Sequence, residues 1–208
     1  MKQMIARGAE SIIYKIERWG RPYVLKWRQS KPYLLFEIDS QLRRARINRE
    51  CKMLTISRTL GVRTPAVHVI DLCNYTIMMD FIDGIQFKQL VGNLSKSKLV
   101  GFCHDFGQLI ALLHGGNIAH GDPTTSNVIV DENDKLWLVD FGLSEMNATL
   151  ETKGVDLHLI KRALETTHWD IQETMLEAVL EGYIDIQGDS AEPILSRMKE
   201  IRERGRYH

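Results

Sequence analysis

His120-Gly121-Asp122-Pro123-Thr124-Thr125-Ser126-Asn127, continued by Val128-Ile129-Val130 and closed by Leu138-Val139-Asp140-Phe141-Gly142, decides how the rest of the chain is read. Asn127 to Val130 and Lys135 to Val139 read as two short strands joined by the polar turn Asp131-Glu132-Asn133-Asp134. Asn127 lies five positions after Asp122, and Asp140 thirteen after Asn127. One hairpin therefore supplies two carboxylates and an amide. Such a set offers a carboxylate to orient or deprotonate a hydroxyl, and oxygen ligands for a hard divalent cation. Each piece alone is ordinary, since an Asp-Phe-Gly at a strand end is more often a turn than a metal site. The weight rests on order and spacing.

Upstream, Ile12, Tyr14 and Ile16 alternate with other residues, Trp19-Gly20-Arg21-Pro22 reads as a turn, and Tyr23-Val24-Leu25-Lys26-Trp27 as a returning strand. From about Ile38 to Leu60 the pattern is helical and polar, with Gly61 as a cap. Two short strands, near Val67 to Ile70 and Tyr75 to Met79, lead to Asp80-Phe81-Ile82-Asp83-Gly84, where the register changes. Beyond it Leu99, Phe102, Phe106, Leu109, Ile110 and Leu113 form the apolar stripe of a core helix. Further helices are expected at about Val155 to Leu164, Ile171 to Tyr183 and Pro193 to Arg204. The expected fold is α+β and bilobal, resembling a small protein kinase. Residues 1–82 form a β-rich N-lobe with one main helix, 83–204 a reduced helical C-lobe, and 205–208 a basic tail.

That order makes the chemistry more specific. Phosphoryl transfer asks a protein for an acceptor-orienting carboxylate, magnesium ligands and cations around the phosphates, with little covalent help. In the protein-kinase signature the loop Asp is the base, the Asn binds magnesium, and the Asp-Phe-Gly carboxylate bridges magnesium to the phosphates. Asp122, Asn127 and Asp140 match these. Lys26 on its strand is the candidate for the α- and β-phosphates, although a strand Lys beside aromatics usually just snorkels. Glu50, twenty-four residues on, can fix it by an ion pair, although a Glu in a charged helix is usually solvated. Gly8, Ala9 and Glu10, in the turn Arg7-Gly8-Ala9-Glu10-Ser11, occupy the place of a phosphate-covering loop, with one glycine where a full glycine-rich loop has several. The implied ligand is ATP with Mg²⁺.

The 44% apolar content suits a chain that buries a real core. Lys plus Arg equal Asp plus Glu, 27 each, so overall charge points to no partner. Cys51, Cys73 and Cys103 lack paired metal-ligand spacing, which favours small buried hydrophobes in a reducing compartment. No apolar run approaches the ~20 residues that span a bilayer, and MKQMIARGAE lacks the apolar stretch of a secretion signal. A cytoplasmic protein with no membrane partner is expected, also nuclear in a cell that has a nucleus.

The strings RGAESIIYKI, GVRTPAVHVID, MMDFIDG, HGDPTTSNVIV, LVDFGLS and VDLHLIKRALETTH resemble the PRPK family, the atypical kinase subunit of the KEOPS complex that helps make threonylcarbamoyladenosine in tRNA. The resemblance runs from about Ile5 to His168, with an Arg-rich end as a further likeness. RIO kinases and bacterial sugar or lipopolysaccharide kinases share the His-Gly-Asp form, but their flanking patterns are not seen in this sequence. The resemblance implies that Lys26 and Glu50 are the ion pair, Asp122 the acid-base residue, and Asn127 and Asp140 the metal ligands. Asp80 to Ile82 would be the hinge presenting backbone groups to adenine, and Asp156 would brace the catalytic loop, unless it is simply a helix N-cap. It further implies the threonylcarbamoyl-transferase subunit as a partner on the C-lobe and a small regulatory subunit on the N-lobe. Two departures stand out. Pro123 follows Asp122 where the family has Leu, which disfavours the α region at Asp122. Tyr33-Leu34-Leu35-Phe36 replaces a Tyr-Arg-x-Pro stretch.

Only fifteen residues separate Asp140 from Asp156, and no Ala-Pro-Glu follows Asp-Phe-Gly. A full activation segment and peptide platform cannot be built there, which favours ATPase work coupled to a partner over a free-standing Ser/Thr protein kinase. A non-catalytic scaffold would not need Lys26, Asp122, Asn127 and Asp140 together. Arg43, Arg44, Arg46, Arg49 and Lys52, and a second cluster of Arg197, Lys199, Arg202, Arg204 and Arg206, are either solvated helix faces or contacts for tRNA phosphates. Leu34, Leu35 and Phe36 either pack under the helix or form a contact patch for the small subunit.

Overall fold

The hairpin between Ser11–Arg18 (β2) and Arg21–Arg28 (β3) organises the N-terminal part of the structure, a computed structural model that describes residues 2–204. Trp19 and Gly20 both have positive φ, 50° and 72°, the backbone of a two-residue primed turn that matches strand twist. Arg21 and Pro22 therefore belong to β3 and not to the turn. Pro22 is tolerated because β3 pairs only with β2 at that point; its second neighbour, Thr76–Asp80 (β5), joins from Tyr23 onward. Lys2–Arg7 (β1) and Val67–Asp71 (β4) complete an antiparallel sheet in the order β1-β2-β3-β5-β4. Phe36–Thr59 (α1) packs on β4 and β5 through Ile47, Met53 and Leu54, and it also buries Glu50.

After β5 come Gly84–Gln86 (β6), Phe87–Leu90 (α2) and Lys96–Gly115 (α3), whose predicted stripe is buried along its full length. Ile118–Ala119 (β7) leads to Val128–Asp131 (β8) and Leu136–Leu138 (β9), which form the predicted hairpin, joined at its edge by β6. Asn127 sits in a short 3-10 turn just before β8, and its carbonyl accepts the Val139 N–H at 3.0 Å. Glu145–Met146 (β10) pairs with β7. Leu150–Thr167 (α4) starts earlier than the apolar pattern suggested, because Thr149 and Thr152 form a reciprocal capping box ahead of the first buried turn. Gln172–Gln187 (α5) and Ala191–Arg204 (α6) follow. Among the described residues no helix is long and apolar enough to cross a membrane.

Helices α3 and α5 touch backbone to backbone. A Cβ on Gly107 would lie 1.9 Å from the Val179 carbonyl oxygen, and one on Gly182 2.0 Å from that of His104. This crossing places Tyr183 of α5 against His114 of α3. Cys51 and Cys103 are buried, and burial pushes both thiols up to about 12, as expected of core hydrophobes, whereas Cys73, in the turn after β4, is exposed against that expectation.

The loop before α1 is held by charge, and of the two readings of its apolar residues, packing beneath the helix does not hold for Leu35 and Phe36. Asp39 is buried, accepts the Lys31 N–H at 3.0 Å and pairs with Arg43 at 2.5 Å. Leu34 is half-buried, but Leu35 and Phe36 remain 71% and 70% exposed.

Candidate active site

Lys26 sits in β3 with its neighbours hydrogen-bonded on both sides, so its position is set by the sheet. It is 3% exposed, and its Nζ lies 2.6 Å from Glu50 Oε1 and 2.8 Å from Asp140 Oδ1. A lysine this buried is rare unless paired. Here two carboxylates from α1 and from the end of the β8-β9 hairpin converge on it, across intervals of 24 and 114 residues. Asp140 adopts φ 62°, a left-handed conformation that short polar side chains tolerate best. Burial alone would raise its carboxyl. The charge and hydrogen bond of Lys26, the Gly142 N–H and the charge of Arg28 outweigh that and hold it below the ordinary carboxylate value.

A cleft of ≈ 420 Å³ opens in front of this triad. Its wall is largely apolar, with Ile13, Val24, Met79, Ile129 and Val139; Lys26, Glu50, Asn127 and Asp140 converge on it, and Gln86, Gln89 and Ser126 add polar groups at the side. That is the composition of a small-molecule site, apolar surface with few convergent polar groups. Asp80 and Ile82 also line it. The Asp80 carboxylate is turned to β4, accepting the Ala66 N–H at 2.9 Å and meeting His68 Nε2 at 2.7 Å, and its own N–H donates to the Ala66 carbonyl at 3.0 Å, so neither its side chain nor its N–H is left for a ligand.

Asp122 is half-buried and does not line this cleft; it is tied to it through Asn127. Asn127 Nδ2 donates to the Asp122 carbonyl at 2.9 Å and to its Oδ2 at 2.8 Å, which leaves the Asn127 amide oxygen available. Asp156 answers the choice between brace and cap. It lies inside α4, is 1% exposed, and accepts the His120 N–H at 2.6 Å and the Gly121 N–H at 2.9 Å. The cap of that helix is Thr149. Gly121 has φ 82°, and a Cβ there would lie 2.4 Å from the Leu143 carbonyl oxygen, so the loop admits only glycine. The buried His120 ring is held below its ordinary value by desolvation, against the pull of Asp156, Asp140 and Asp122. Its Nδ1 accepts the Asp122 N–H at 3.3 Å, as a neutral ring can.

Gly8, Ala9 and Glu10 are not brought to the cleft wall. Gly8 N–H bonds the Ser11 carbonyl at 2.9 Å to close a tight turn, and the Glu10 carboxylate faces the other way. It meets Lys31 at 2.9 Å, Arg28 at 3.7 Å and Arg46. Arg28 is the functional-site residue that the sequence reading missed. It is buried, and its guanidinium shares Glu50 with Lys26, at 2.5 Å from Oε2. Its signal was its position, two residues after Lys26 and so on the same face of β3.

Of the helix cluster, Arg43 pairs with Asp39 and stacks over the Tyr75 ring at 3.6 Å, and Arg46 pairs with Glu10, while Arg49 and Lys52 are exposed. Arg197 meets Glu151 and Glu200. Arg206 and the tail from Gly205 lie outside the described residues.

Among the described residues no group of three His, Cys, Asp or Glu could cage a metal. Magnesium does not require one: it is held by one or two protein oxygens with waters and phosphates. The free oxygen of Asn127 and the half-exposed Asp140 carboxylate, both on the cleft wall, fit that ion, and the buried Lys26 fits a polyphosphate.

The RIO domain family matches residues 35–178. The separation from RIO domains suggested by flanking patterns therefore does not hold at the level of the domain. The chain is 40% identical over 99% of its length to KEOPS complex subunit Bud32 of Pyrococcus abyssi, 96% of which it covers. It is 37% and 36% identical, over 98% of its length, to probable bifunctional tRNA threonylcarbamoyladenosine biosynthesis proteins of Methanobrevibacter smithii and Methanothermobacter thermautotrophicus. It spans 36% of each of those two proteins. With the site geometry and these likenesses together, the chain belongs to the RIO-domain family of atypical kinases, in the branch that holds Bud32.

Proposed function

We propose that this chain is an ATP-hydrolysing, atypical Ser/Thr kinase-type subunit of a KEOPS complex, supporting threonylcarbamoyladenosine formation in tRNA. The observation that carries the reading is the buried Lys26 held between Glu50 and Asp140 at the cleft floor. Mg-ATP, when bound, supplies an activated phosphoryl group. Lys26 neutralises phosphate charge, with Glu50 fixing its ammonium. Asn127 and Asp140 hold the cation, and Asp80 to Ile82 offer backbone groups to the adenine. Asp122 orients and deprotonates the acceptor, which is water in hydrolysis or a hydroxyl in kinase use. Gly8 and Ala9 act as a cover over a bound nucleotide, while Glu10 takes no part in it and anchors the turn to its three cations. The division into lobes at residue 82 belongs to this proposal, as does a cytoplasmic place of work.

Asp122→Ala is expected to lose turnover by about 10²–10⁴-fold while keeping Mg-ATP binding, because its role concerns the acceptor. Calorimetry with binding lost as completely as turnover would mean that the role is misassigned.

The chain is expected to be a slow enzyme alone. Only residues 141–149 lie between Asp140 and α4, and they run through the short strand β10, so no long platform aligns an acceptor with Asp122. Placement of reactants can account for about 7–11 kcal/mol of a barrier. A transferase subunit on the C-lobe would supply alignment, a small subunit on the N-lobe would cover Leu35 and Phe36, and exposed Arg49, Lys52, Lys199 and Arg202 would meet tRNA phosphates. ATP hydrolysis is measured with and without the purified transferase and tRNA. Equal rates, together with no co-elution on sizing, would sink the proposal and favour a free-standing kinase.

A further inference from the structure

Outside the cleft, the largest unexplained polar arrangement is a buried chain that crosses three helices. His114 of α3 has both ring nitrogens engaged: Nδ1 lies 2.8 Å from the Tyr183 hydroxyl and Nε2 3.2 Å from Asp156 Oδ2. All three side chains are almost free of solvent, and the two rings meet edge to face at 5.5 Å. None of them lines the cleft. Asp156, however, holds the His120 and Gly121 amides, the two residues that precede Asp122.

The direction of the hydrogen bonds follows from donor and acceptor chemistry. Each Asp156 oxygen already accepts a backbone N–H, and a carboxylate has only acceptors to offer. Nε2 of His114 must therefore donate to Oδ2. In a neutral ring Nδ1 then carries the lone pair, so the Tyr183 hydroxyl donates to it. Phenylalanine would fill the same volume and leave Nδ1 buried without a partner. The hydroxyl is what a packing role leaves unexplained.

We propose that Tyr183 is a positioning residue for the Asp122 loop: by donating to His114 Nδ1 it keeps that ring in its Nε2–H form, which fixes the Asp156 carboxylate beneath the His120 and Gly121 amides. The loop needs such a hold, since Gly121 is in a left-handed conformation and Pro123 follows Asp122. Tyr183 is itself held rigidly, one residue from Gly182, where α5 meets the α3 backbone. The role rests on the proposed use of Asp122 in turnover, but the hydrogen-bond polarity does not.

Three measurements on the full-length chain test it. Imidazole ¹⁵N shifts, with His114 assigned by its loss in His114→Gln, should show a ring protonated on Nε2 and accepting at Nδ1. In Tyr183→Phe, the His120 and Gly121 amides should exchange with solvent about tenfold faster, the equivalent of one lost buried hydrogen bond. Its kcat for ATP should fall by roughly fivefold or more at unchanged KM, since the loop and not the nucleotide is affected. Val179→Ala, a buried apolar truncation on the same helix, should lower thermal stability while leaving both amides and the turnover unmoved. A wild-type ring protonated on Nδ1, or on both nitrogens, overturns the proposal. So does a Tyr183→Phe chain whose two amides exchange no faster than those of Val179→Ala. If the wild-type chain shows no ATP turnover at all, the functional reading fails, and the ring and exchange measurements still decide this one.

Discussion

Lys26→Ala and Asp140→Ala are each expected to abolish metal-dependent ATP turnover, by about 10²–10³-fold or more, while the chain stays folded. Both residues act on charge in the bound nucleotide, inside a cleft whose wall is mostly apolar and where such contacts are strong. The reason the fold should survive lies in the rest of the network. Without Lys26, the buried Glu50 keeps Arg28 at 2.5 Å. Without Asp140, Lys26 keeps Glu50 at 2.6 Å. Neither change strands a buried charge. Asp140→Asn separates the carboxylate from the backbone, because asparagine tolerates the positive φ that costs alanine ~1–2 kcal/mol. The check is Mg-dependent ATP hydrolysis beside a thermal melt; an unchanged rate in either variant would remove the central assignment.

The opposite behaviour is expected at Glu50. Its two oxygens serve Lys26 and Arg28 separately, and all three side chains are buried. Glu50→Ala leaves Lys26 with only the half-exposed Asp140 at 2.8 Å and Arg28 with only Glu10 at 3.7 Å. Two buried cations each lose their buried partner, and the cost approaches the ~3–5 kcal/mol of a broken buried ion pair. For a chain of this size that is a fall in Tm on the order of 10 °C. Adding Lys26→Met to Glu50→Ala removes one of the two cations that lost their buried partner, so the double variant should be more stable than Glu50→Ala alone, a coupling that a double-mutant cycle reads directly. Chemical denaturation giving a loss below about 1 kcal/mol would mean that the cluster is screened by water, and that Glu50 orients Lys26 without supporting the fold.

These two expectations differ because of Arg28, and Arg28 shows where a linear reading runs out. Lys26 was legible because a strand lysine, a helix glutamate and a hairpin aspartate stood in a known order. Arg28 stood in no motif, and a basic residue in a strand is ordinarily solvated. Its burial follows from α1 crossing β4 and β5 and presenting Glu50 to that face. Glu10 fails in the converse way. Its place in the turn after β1 suggested a phosphate cover, but three cations that approach from β3, the following loop and α1 draw its carboxylate away from the cleft. Asp156 was readable only as a choice between two roles, and what separates them is the start of α4. The Thr149–Thr152 capping box moves that start far enough ahead to put Asp156 inside the helix, facing the His120 loop.

The local elements were written in the order of residues. Asp122, Asn127 and Asp140 lie on one hairpin, whose strands and turn follow from side-chain alternation and polarity over a short span, so their proximity needed no long-range information. The α3 stripe and the β2-β3 hairpin were legible for the same reason. What the residues in line could not disclose is which charged groups lose their water. Lys26, Arg28, Glu50, Asp156 and the His114–Tyr183 pair are buried because elements distant in sequence close over them, and each is tolerated there only because another distant element brings its partner. Burial of a polar group is a property of the assembled fold, and in this chain it selects the side chains that hold the hairpin's chemistry in place.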